Sequence, residues 1–253
     1  MNPVKIRNVE IGTGIPKICI PNAAAGREEI FQSAEHIRKL KADIVEWRGD
    51  WYEDIFCPGY MEKILLRLRE ILGDIPLLFT FRTLEEGGEK AIRTDEYVEM
   101  NRKAVSSGCI DLIDVELFRG DETVRQVREA AAEHGVYVIA SNHDFQATPS
   151  KKEIISRLRK MQELGADILK IAVMPQERKD VLTLLEATEE MASEYAQCPL
   201  ITMSMSGAGV VSRICGEIFG SAVTFGTAGR ASAPGQVDAD RLRESLLLLH
   251  ESL

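Results

Sequence analysis

The chain alternates short β-rich runs with amphipathic stretches of helical period, and this repeat constrains its fold more than any other feature. Strict alternation of strands and helices calls for a parallel sheet. Eight repeats in 253 residues fit a closed (β/α)8 TIM barrel better than an open doubly wound sheet. The predicted strands are KICI (17–20), DIVEWR (43–48), PLLFTFR (76–82), DLIDVEL (111–117), VYVIAS (136–141), DILKIAV (167–173), PLITMSM (199–205) and AVTFG (222–226).

A helix is predicted after each strand, and the helical stretches carry end signals that agree with this assignment. Gly135 and Gly165 stand where a glycine C-cap would lead into the next strand. The N-terminal run VKIRNVEIG predicts an extra short strand or hairpin that closes the bottom of the barrel. Because no low-complexity stretch or Pro/Gly-rich linker interrupts the repeat, residues 1–253 are expected to form a single domain.

Composition and charge exclude several classes of protein. A hydrophobic content of 45% with 28% charged residues is ordinary for a globular protein. No apolar run approaches the ~20 residues that cross a bilayer, and the N-terminus lacks a secretory pattern, so we expect a cytoplasmic protein without a membrane partner. A net charge of −9 disfavours nucleic acid as a partner. The five cysteines form no CxxC pair, which predicts reduced thiols and no zinc site.

The charged residues within the strands fall on one side of the sheet. Side chains of a strand alternate between the helix layer and the barrel interior, and in DILKIAV the apolar residues Leu169, Ile171 and Val173 leave Lys170 pointing inward. Most of the inward charges lie late in their strands, at the C-terminal mouth where barrel active sites occur. By the same alternation, the side chains predicted to face the barrel interior are those of Glu46, Arg48, Thr80, Arg82, Asp114, Glu116, Ser141 and His143.

Lys170 and His143 are the candidates for covalent and proton-transfer chemistry. An ammonium group inside a closed barrel loses its hydration, which favours the neutral, nucleophilic amine. Lys170 is therefore expected to form a Schiff base with a ketone; the alternative is a structural ion pair with Glu46 or Glu116. His143 is the one histidine of four at a strand mouth, where acid/base catalysis suits an imidazole. The alternative for His143 is a satisfied polar group.

Three arginines suggest the kind of substrate. Arg48, Arg82 and Arg213 form a cationic set around a mouth that also holds Glu46 and Glu116. Such a set suits an anionic, hydroxyl-rich molecule held by charge-assisted hydrogen bonds, although structural salt bridges remain an alternative for each arginine.

Other residues near the mouth carry weaker signals. Met203, Met205 and Phe225 share inward parity and are expected either to fill the core or to form an apolar wall against a substrate ring. Composition alone makes Glu86, in a glutamate- and glycine-rich loop, a solvated residue. The glycine-rich segment 226–236 follows the eighth strand, where barrel phosphate sites often occur, but a glycine-rich loop alone is a weak signal.

Several motifs, in order along nearly the whole chain, resemble those of the type I 3-dehydroquinate dehydratase family. They are IVEWR, LLFTFR followed by EGGE, DLIDVEL, SNHDF, ILKIAVMP, ITMSM, SRICGEIFGS, TFG and SAPGQ. The resemblance implies the syn dehydration of 3-dehydroquinate to 3-dehydroshikimate through a lysine imine. We expect this reaction to serve aromatic amino-acid biosynthesis, although the residues leave quinate breakdown open. It implies no metal, no cofactor and a homodimer. The loops at 206–211 and 226–231 depart from the family pattern, which puts substrate affinity and loop dynamics in question rather than the chemistry.

The resemblance also implies residue roles. Lys170 would be the imine lysine, His143 the proton shuttle, and Glu86 the carboxylate that orients and tunes His143. Arg213 would bind the substrate carboxylate. The other implied substrate-binding residues are Glu46, Arg48, Arg82, Ser232 and Gln236.

Two other functions stay open on the residues alone. A class I Schiff-base aldolase also uses a barrel lysine and would act on a sugar phosphate. A non-catalytic binding barrel would keep the charges of the mouth for structure only. The arginine cluster, which suits a carboxylate, favours the dehydratase.

Overall fold

The structure is a computed structural model that describes residues 1–229 and 233–253. Those residues contain eleven strands, and the eight predicted from the sequence are β3 to β10, each at its predicted place. The strands are β1 (Val4–Ile6), β2 (Val9–Ile11), β3 (Lys17–Asn22), β4 (Ile44–Arg48), β5 (Leu77–Thr80), β6 (Leu112–Glu116), β7 (Tyr137–Asp144), β8 (Ile168–Val173), β9 (Leu200–Ser204), β10 (Val223–Thr227) and β11 (Val237–Asp238).

Helices connect the strands on the outside of the sheet. The stretch between β9 and β10 forms two short helices instead of one long one. The helices are α1 (Arg27–Lys39), α2 (Tyr60–Leu72), α3 (Thr94–Ser106), α4 (Asp121–Glu133), α5 (Lys151–Glu163), α6 (Arg178–Glu190), α7 (Val210–Ile214), α8 (Gly216–Phe219) and α9 (Ala239–His250). Within the described ranges, none of these helices has the length and apolar character needed to span a membrane.

The strands from β3 to β10 close into a ring. Each pairs in parallel with the next from β3 to β9, and β10 returns to pair in parallel with β3. Ser221 and Ala222 close the seam between β9 and β10: the Ala222 amide donates to the Leu200 carbonyl at 2.7 Å, and the Thr202 amide donates to Ser221 Oγ at 3.0 Å. The predicted (β/α)8 barrel is confirmed; β11, two residues paired with β10, was not predicted.

The N-terminal hairpin closes the bottom of the barrel, as predicted. Strands β1 and β2 pair antiparallel, with Val4 opposite Ile11. The buried side chains of Ile6 and Ile11 belong to the same apolar cluster as inward residues at the starts of the barrel strands, such as Ile44 and Leu112. The hairpin therefore lies at the end opposite the strand C-termini.

The predicted alternation of side chains separates two cores. Val45, Trp47 and Phe79 pack in the layer between sheet and helices, while Ile168 and Ala172 of β8 belong to the interior cluster. Burial of apolar surface on both faces of a parallel sheet gives the barrel most of its stability. That residues 1–253 form one domain stays a prediction.

Replacing Ile11 by alanine should destabilise the barrel without affecting chemistry. The side chain is fully buried, so the cavity should lower the free energy of unfolding by about 2–4 kcal/mol, measured by chemical denaturation. The kcat should stay unchanged, because the hairpin lies at the end opposite the mouth. Leu248→Ala, on an α9 side chain that is 67% exposed, is the matched control and should change neither quantity. A large loss of kcat in Ile11→Ala would contradict this placement.

Candidate active site

A cavity opens at the C-terminal ends of the strands. It contains about 510 Å³ of empty space, part of it open to solvent. It is lined by every described residue that was predicted to act in catalysis or to bind substrate: Glu46, Arg48, Arg82, Glu86, His143, Lys170, Met203, Met205, Arg213, Phe225 and Gln236. Gly87, Phe145, Ala172 and Ala233 complete the lining. Ser232, also singled out, lies outside the described residues.

Lys170 reaches into this cavity from the middle of β8. Its side chain is 4% exposed, and Nζ donates to Asp114 Oδ2 at 3.1 Å. Glu46 Oε1 lies 4.0 Å away, and the centroid of the Phe225 ring lies 4.7 Å from Nζ. The ion pair thus involves Asp114 first and Glu46 second. Glu116, the other partner considered from the sequence, is bound elsewhere.

Arg82 organises the acidic residues around Lys170. Its Nη2 donates to Asp114 Oδ1 at 2.7 Å, and its Nη1 donates to Glu116 Oε1 at 2.9 Å and to Ser141 Oγ at 3.0 Å. Burial alone would raise the pKa of Asp114, but the charges of Arg82 and Lys170 and the Ser141 hydroxyl lower it to about 2. Asp114 is therefore a fixed negative charge beside the amine.

Asp50 ties three segments of the mouth together. It is fully buried and accepts two hydrogen bonds from the Arg48 guanidinium, at 2.8 and 2.7 Å. Its carboxylate also accepts the backbone amides of Arg82 and Glu89, each at 3.2 Å. The orientation of Arg48 is therefore linked to the loop that carries Glu86.

Two glycines let the Glu86 loop fold tightly over the mouth. Gly87 has φ +82° and packs against the Phe145 ring, and a Cβ there would collide with that ring. A Cβ on Gly88 would overlap the Arg82 carbonyl oxygen. This close approach turns Glu86 inward and buries it, so the solvated position suggested by composition alone is wrong.

Glu86 and His143 form a hydrogen-bonded pair. Glu86 Oε2 lies 3.0 Å from His143 Nδ1 and accepts the His143 backbone amide at 2.8 Å. The Asn142 side-chain amide donates to the other carboxylate oxygen at 3.2 Å. One carboxylate oxygen therefore binds both the backbone amide and the imidazole ring of His143, which leaves Nε2 as the ring atom able to act on a ligand.

The environment shifts the two pKa values of this pair in opposite directions. Burial, with the charges of Arg82, Lys170 and Arg48, lowers the pKa of His143 well below its ordinary value. Burial raises the pKa of Glu86 to about 8, although the charge of Arg82 opposes that rise. Near neutral pH the pair retains a proton. Once it is lost, ionised Glu86 accepts from Nδ1–H, and Nε2 is free to act as a base.

Arg213 is a buried cation without an acidic partner among the described residues. The side chain, 1% exposed, donates to the Pro234 carbonyl at 3.1 Å and contacts Met203 Sδ at 3.7 Å. Its Nε has no hydrogen-bond partner within those ranges. Burial lowers the pKa of Arg213 to about 10. A buried guanidinium in this state favours binding of an anion.

The methionines and the phenylalanine on the apolar side of the cavity both fill the core and form a wall of the cavity. Met203, Met205 and Phe225 belong to the interior cluster and also line the cavity.

Among the described residues, no group of three or more His, Cys, Asp or Glu side chains is arranged to hold a metal ion.

Several polar residues that hold the site together were given no role from the sequence. Asp114 had the correct inward parity, which was the available signal. Asp50, which follows the end of β4, gave none. Asn142 gave only a mild one, a polar residue on the helix side of its strand.

The family model for type I 3-dehydroquinase matches residues 18–252. The chain belongs to this family. It is therefore an enzyme of the hydro-lyase class, which decides against both the aldolase and the non-catalytic barrel. The 3-dehydroquinate dehydratase of Clostridioides difficile (strain 630) is 53% identical over 250 residues, which cover 99% of this chain and 98% of the relative. That of Bacillus licheniformis is 51% identical over 250 residues, with the same coverage.

Solved structures agree with this membership. The type I 3-dehydroquinate dehydratase of Clostridium difficile with covalently modified comenic acid superposes with a TM-score of 0.97 at 52% identity, covering 100% of this chain and 99% of the other. The 3-dehydroquinate dehydratase of Enterococcus faecalis gives 0.92 at 43% identity, covering 97% and 99%. A 3-hexulose-6-phosphate synthase, at 0.60 and 17% identity over 90% of this chain and 99% of the other, shares the fold alone.

The pH dependence of kcat/KM should report the Glu86–His143 pair. In the unmodified enzyme the activity should rise with pH as the pair loses its shared proton, with an apparent pKa near the value of about 8 that burial gives Glu86. In Glu86→Gln only His143 titrates. Because its pKa is lowered, the rise should move to more acidic pH by at least about one unit, with a lower plateau. An unchanged profile would show that the pair does not control activity.

Proposed function

We propose that this enzyme dehydrates 3-dehydroquinate to 3-dehydroshikimate through a Schiff base on Lys170, with His143 as the general acid/base. The observation that carries the proposal is that three groups face the same cavity: a buried amine, a histidine held by a carboxylate, and a buried guanidinium with no acidic partner among the described residues. A ketone that also bears a carboxylate would engage all three groups at once.

The covalent step uses the charges around Lys170. The ammonium group gives up a proton, and the neutral amine attacks the C3 ketone to form a C–N bond. The ketone oxygen leaves as water, and a protonated imine remains. Asp114, at 3.1 Å from Nζ, and the Phe225 ring face, at 4.7 Å, stabilise the positive charge of that imine.

The elimination step uses His143 twice. Its Nε2 removes the C2 proton, and the electron pair moves towards the imine, which is a better electron sink than the ketone. The electrons then return to expel the C1 hydroxyl, which takes the same proton from His143 and leaves as water on the same face. Hydrolysis of the product imine releases 3-dehydroshikimate and restores Lys170. Glu86 keeps the imidazole of His143 in the required orientation.

Binding divides between charged and apolar residues. Arg213 binds the substrate carboxylate. Met203, Met205 and Phe225 contact the ring. The hydroxyls are bound by the remaining polar set: Glu46, Arg48, Arg82, Ser232 and Gln236. Arg82 also donates to Glu116, Ser141 and Asp114, so it contributes to substrate binding largely by placing the acids around Lys170.

The proposal extends to the setting of the enzyme. It acts in the cytoplasm, in the shikimate pathway to aromatic amino acids, as a homodimer, on a small-molecule substrate. It uses neither metal nor cofactor, since the imine supplies the electron sink. The support is membership of the family together with relatives named 3-dehydroquinate dehydratase over nearly their whole length.

Single substitutions should separate the two chemical roles. Lys170→Ala should abolish both turnover and the adduct formed with 3-dehydroquinate and sodium borohydride, detected by intact-protein mass spectrometry. His143→Ala should lose about 10²- to 10⁴-fold in kcat and still form the adduct, because the imine does not require the histidine to form. Equal loss of the adduct in both variants would contradict separate roles.

Arg213 and Arg82 should respond oppositely to replacement by methionine. Arg213→Met removes a desolvated cation that has no acidic partner among the described residues, so the melting temperature should hold or rise. Loss of a charge-assisted hydrogen bond to the substrate should raise KM about 10- to 100-fold. Arg82→Met leaves buried carboxylates without their partner and should cost about 3–5 kcal/mol of stability. If Arg213→Met unfolds the protein, or leaves KM unchanged, Arg213 is a structural residue instead.

A further inference from the structure

Asn142 connects the Glu86–His143 pair to the outer helix layer. It is 1% exposed and precedes His143 on β7, so its side chain alternates to the helix side of the sheet. There the Asn142 Nδ2 donates to Glu86 Oε1 at 3.2 Å. The Asn142 Oδ1 accepts from Arg157 Nη1, on α5, at 2.9 Å.

Arg157 fixes which way the Asn142 amide points. A guanidinium carries donors only, so the oxygen of the amide must face Arg157, and the NH2 group must face Glu86. Arg157 is itself held by Glu153 at 2.8 Å, by Asp144 at 3.8 Å and by contact with the Phe118 ring at 5.1 Å. The amide is therefore held as a donor to Glu86.

We infer that Asn142, oriented by Arg157, is a positioning residue that holds Glu86 as a hydrogen-bond acceptor for His143. The inference rests on the proposed function, in which His143 must lose its shared proton to act as a base. Without the donor on Oε1, Glu86 would be free to rotate away from His143 or to keep its proton to higher pH.

The other charged groups around Glu86 make this donor necessary. Arg82, from the end of β5, lies 3.6 Å from Oε2, whereas Glu116, from β6, opposes ionisation of the carboxyl, as burial does. His143, from β7, already uses Oε2 twice. Among the described residues, the side-chain partner of Oε1 is Asn142.

Asparagine suits this position better than aspartate for a chemical reason. The two side chains have nearly the same shape, but aspartate would place a second acceptor and a negative charge against Glu86. Repulsion would then raise the pKa of Glu86 further. Arg157 could still bind the new carboxylate, so the chain should fold.

The test is the pH dependence of kcat/KM in Asn142→Asp. The rise in activity should move to more alkaline pH by about one unit, opposite to the direction expected for Glu86→Gln, while borohydride trapping with 3-dehydroquinate persists. Arg157→Gln, which frees the amide to turn over, should give a smaller shift of the same sign. It also tests the idea if Asn142→Asp does not fold.

Thr202→Val is the matched control. Thr202 makes a comparable buried contact from a strand to a helix, 2.8 Å to Thr188 Oγ1 of α6. It lies on β9, whereas Glu86 follows β5, four strands away in the order of the sheet. Its removal should leave the pH profile unchanged. The inference would be wrong if Asn142→Asp and Arg157→Gln fold and keep the pH profile of the unmodified enzyme, while the profile of Glu86→Gln moves. That outcome would leave the proposed function intact. Absence of any borohydride adduct in the unmodified enzyme would instead overturn the proposed function.

Discussion

The site depends on one buried cation, the guanidinium of Arg82. It binds Asp114, Glu116 and Ser141 and lies 3.6 Å from Glu86. Asp114 in turn binds Lys170. Isolated charges inside a barrel would be strongly destabilising, and only a well-bonded network offsets their loss of hydration. Arg82 thus makes it possible to place an amine, several carboxylates and an imidazole in one small interior.

Arg213 is the counterpart of that network. Every acid near Lys170 has a cationic or hydroxyl partner, whereas Arg213 has no acidic partner among the described residues. A buried charge without a counter-charge lowers the free energy of unfolding, and sites that keep such a charge are usually functional. The contrast between the two arginines divides the cavity into a half whose charges are balanced by the protein and a half whose charge would be balanced by a bound anion.

The periodic parts of the molecule, its strands and helices, could be predicted from the sequence. Strand parity alone turned Glu46, Arg48 and Lys170 towards the barrel interior, and all three line the cavity. The alternation of a strand does not extend into a loop, so composition alone predicted a solvated Glu86. In the structure Gly87 approaches the Phe145 ring and Gly88 approaches the Arg82 carbonyl, and Glu86 is buried.

The same limit explains the contacts that sequence reasoning missed. Asn142 reaches Glu86 because a strand end, a loop and helix α5 meet there. Asp50 accepts amides from residues more than thirty positions away. Such contacts exist only when the strands are placed side by side. The family motifs pointed to Glu86. No local pattern pointed to Asp50, and Asn142 showed only as a polar residue on the apolar side of its strand, which does not reveal its partner.

If each turnover passes through an imine on Lys170, the ketone oxygen of the substrate is replaced by oxygen from water, and turnover in ¹⁸O-labelled water measures that replacement. Borohydride captures any imine, including one off the productive route, whereas the ketone oxygen must be lost in every productive cycle. The 3-dehydroshikimate formed should carry ¹⁸O at its C3 carbonyl from the first turnovers. Its labelled fraction should be well above the background, which is the uncatalysed labelling of substrate and product incubated with Lys170→Ala. Product whose C3 oxygen is retained, with no label beyond that background, would show that the ketone stays intact and that no imine forms on Lys170 during turnover.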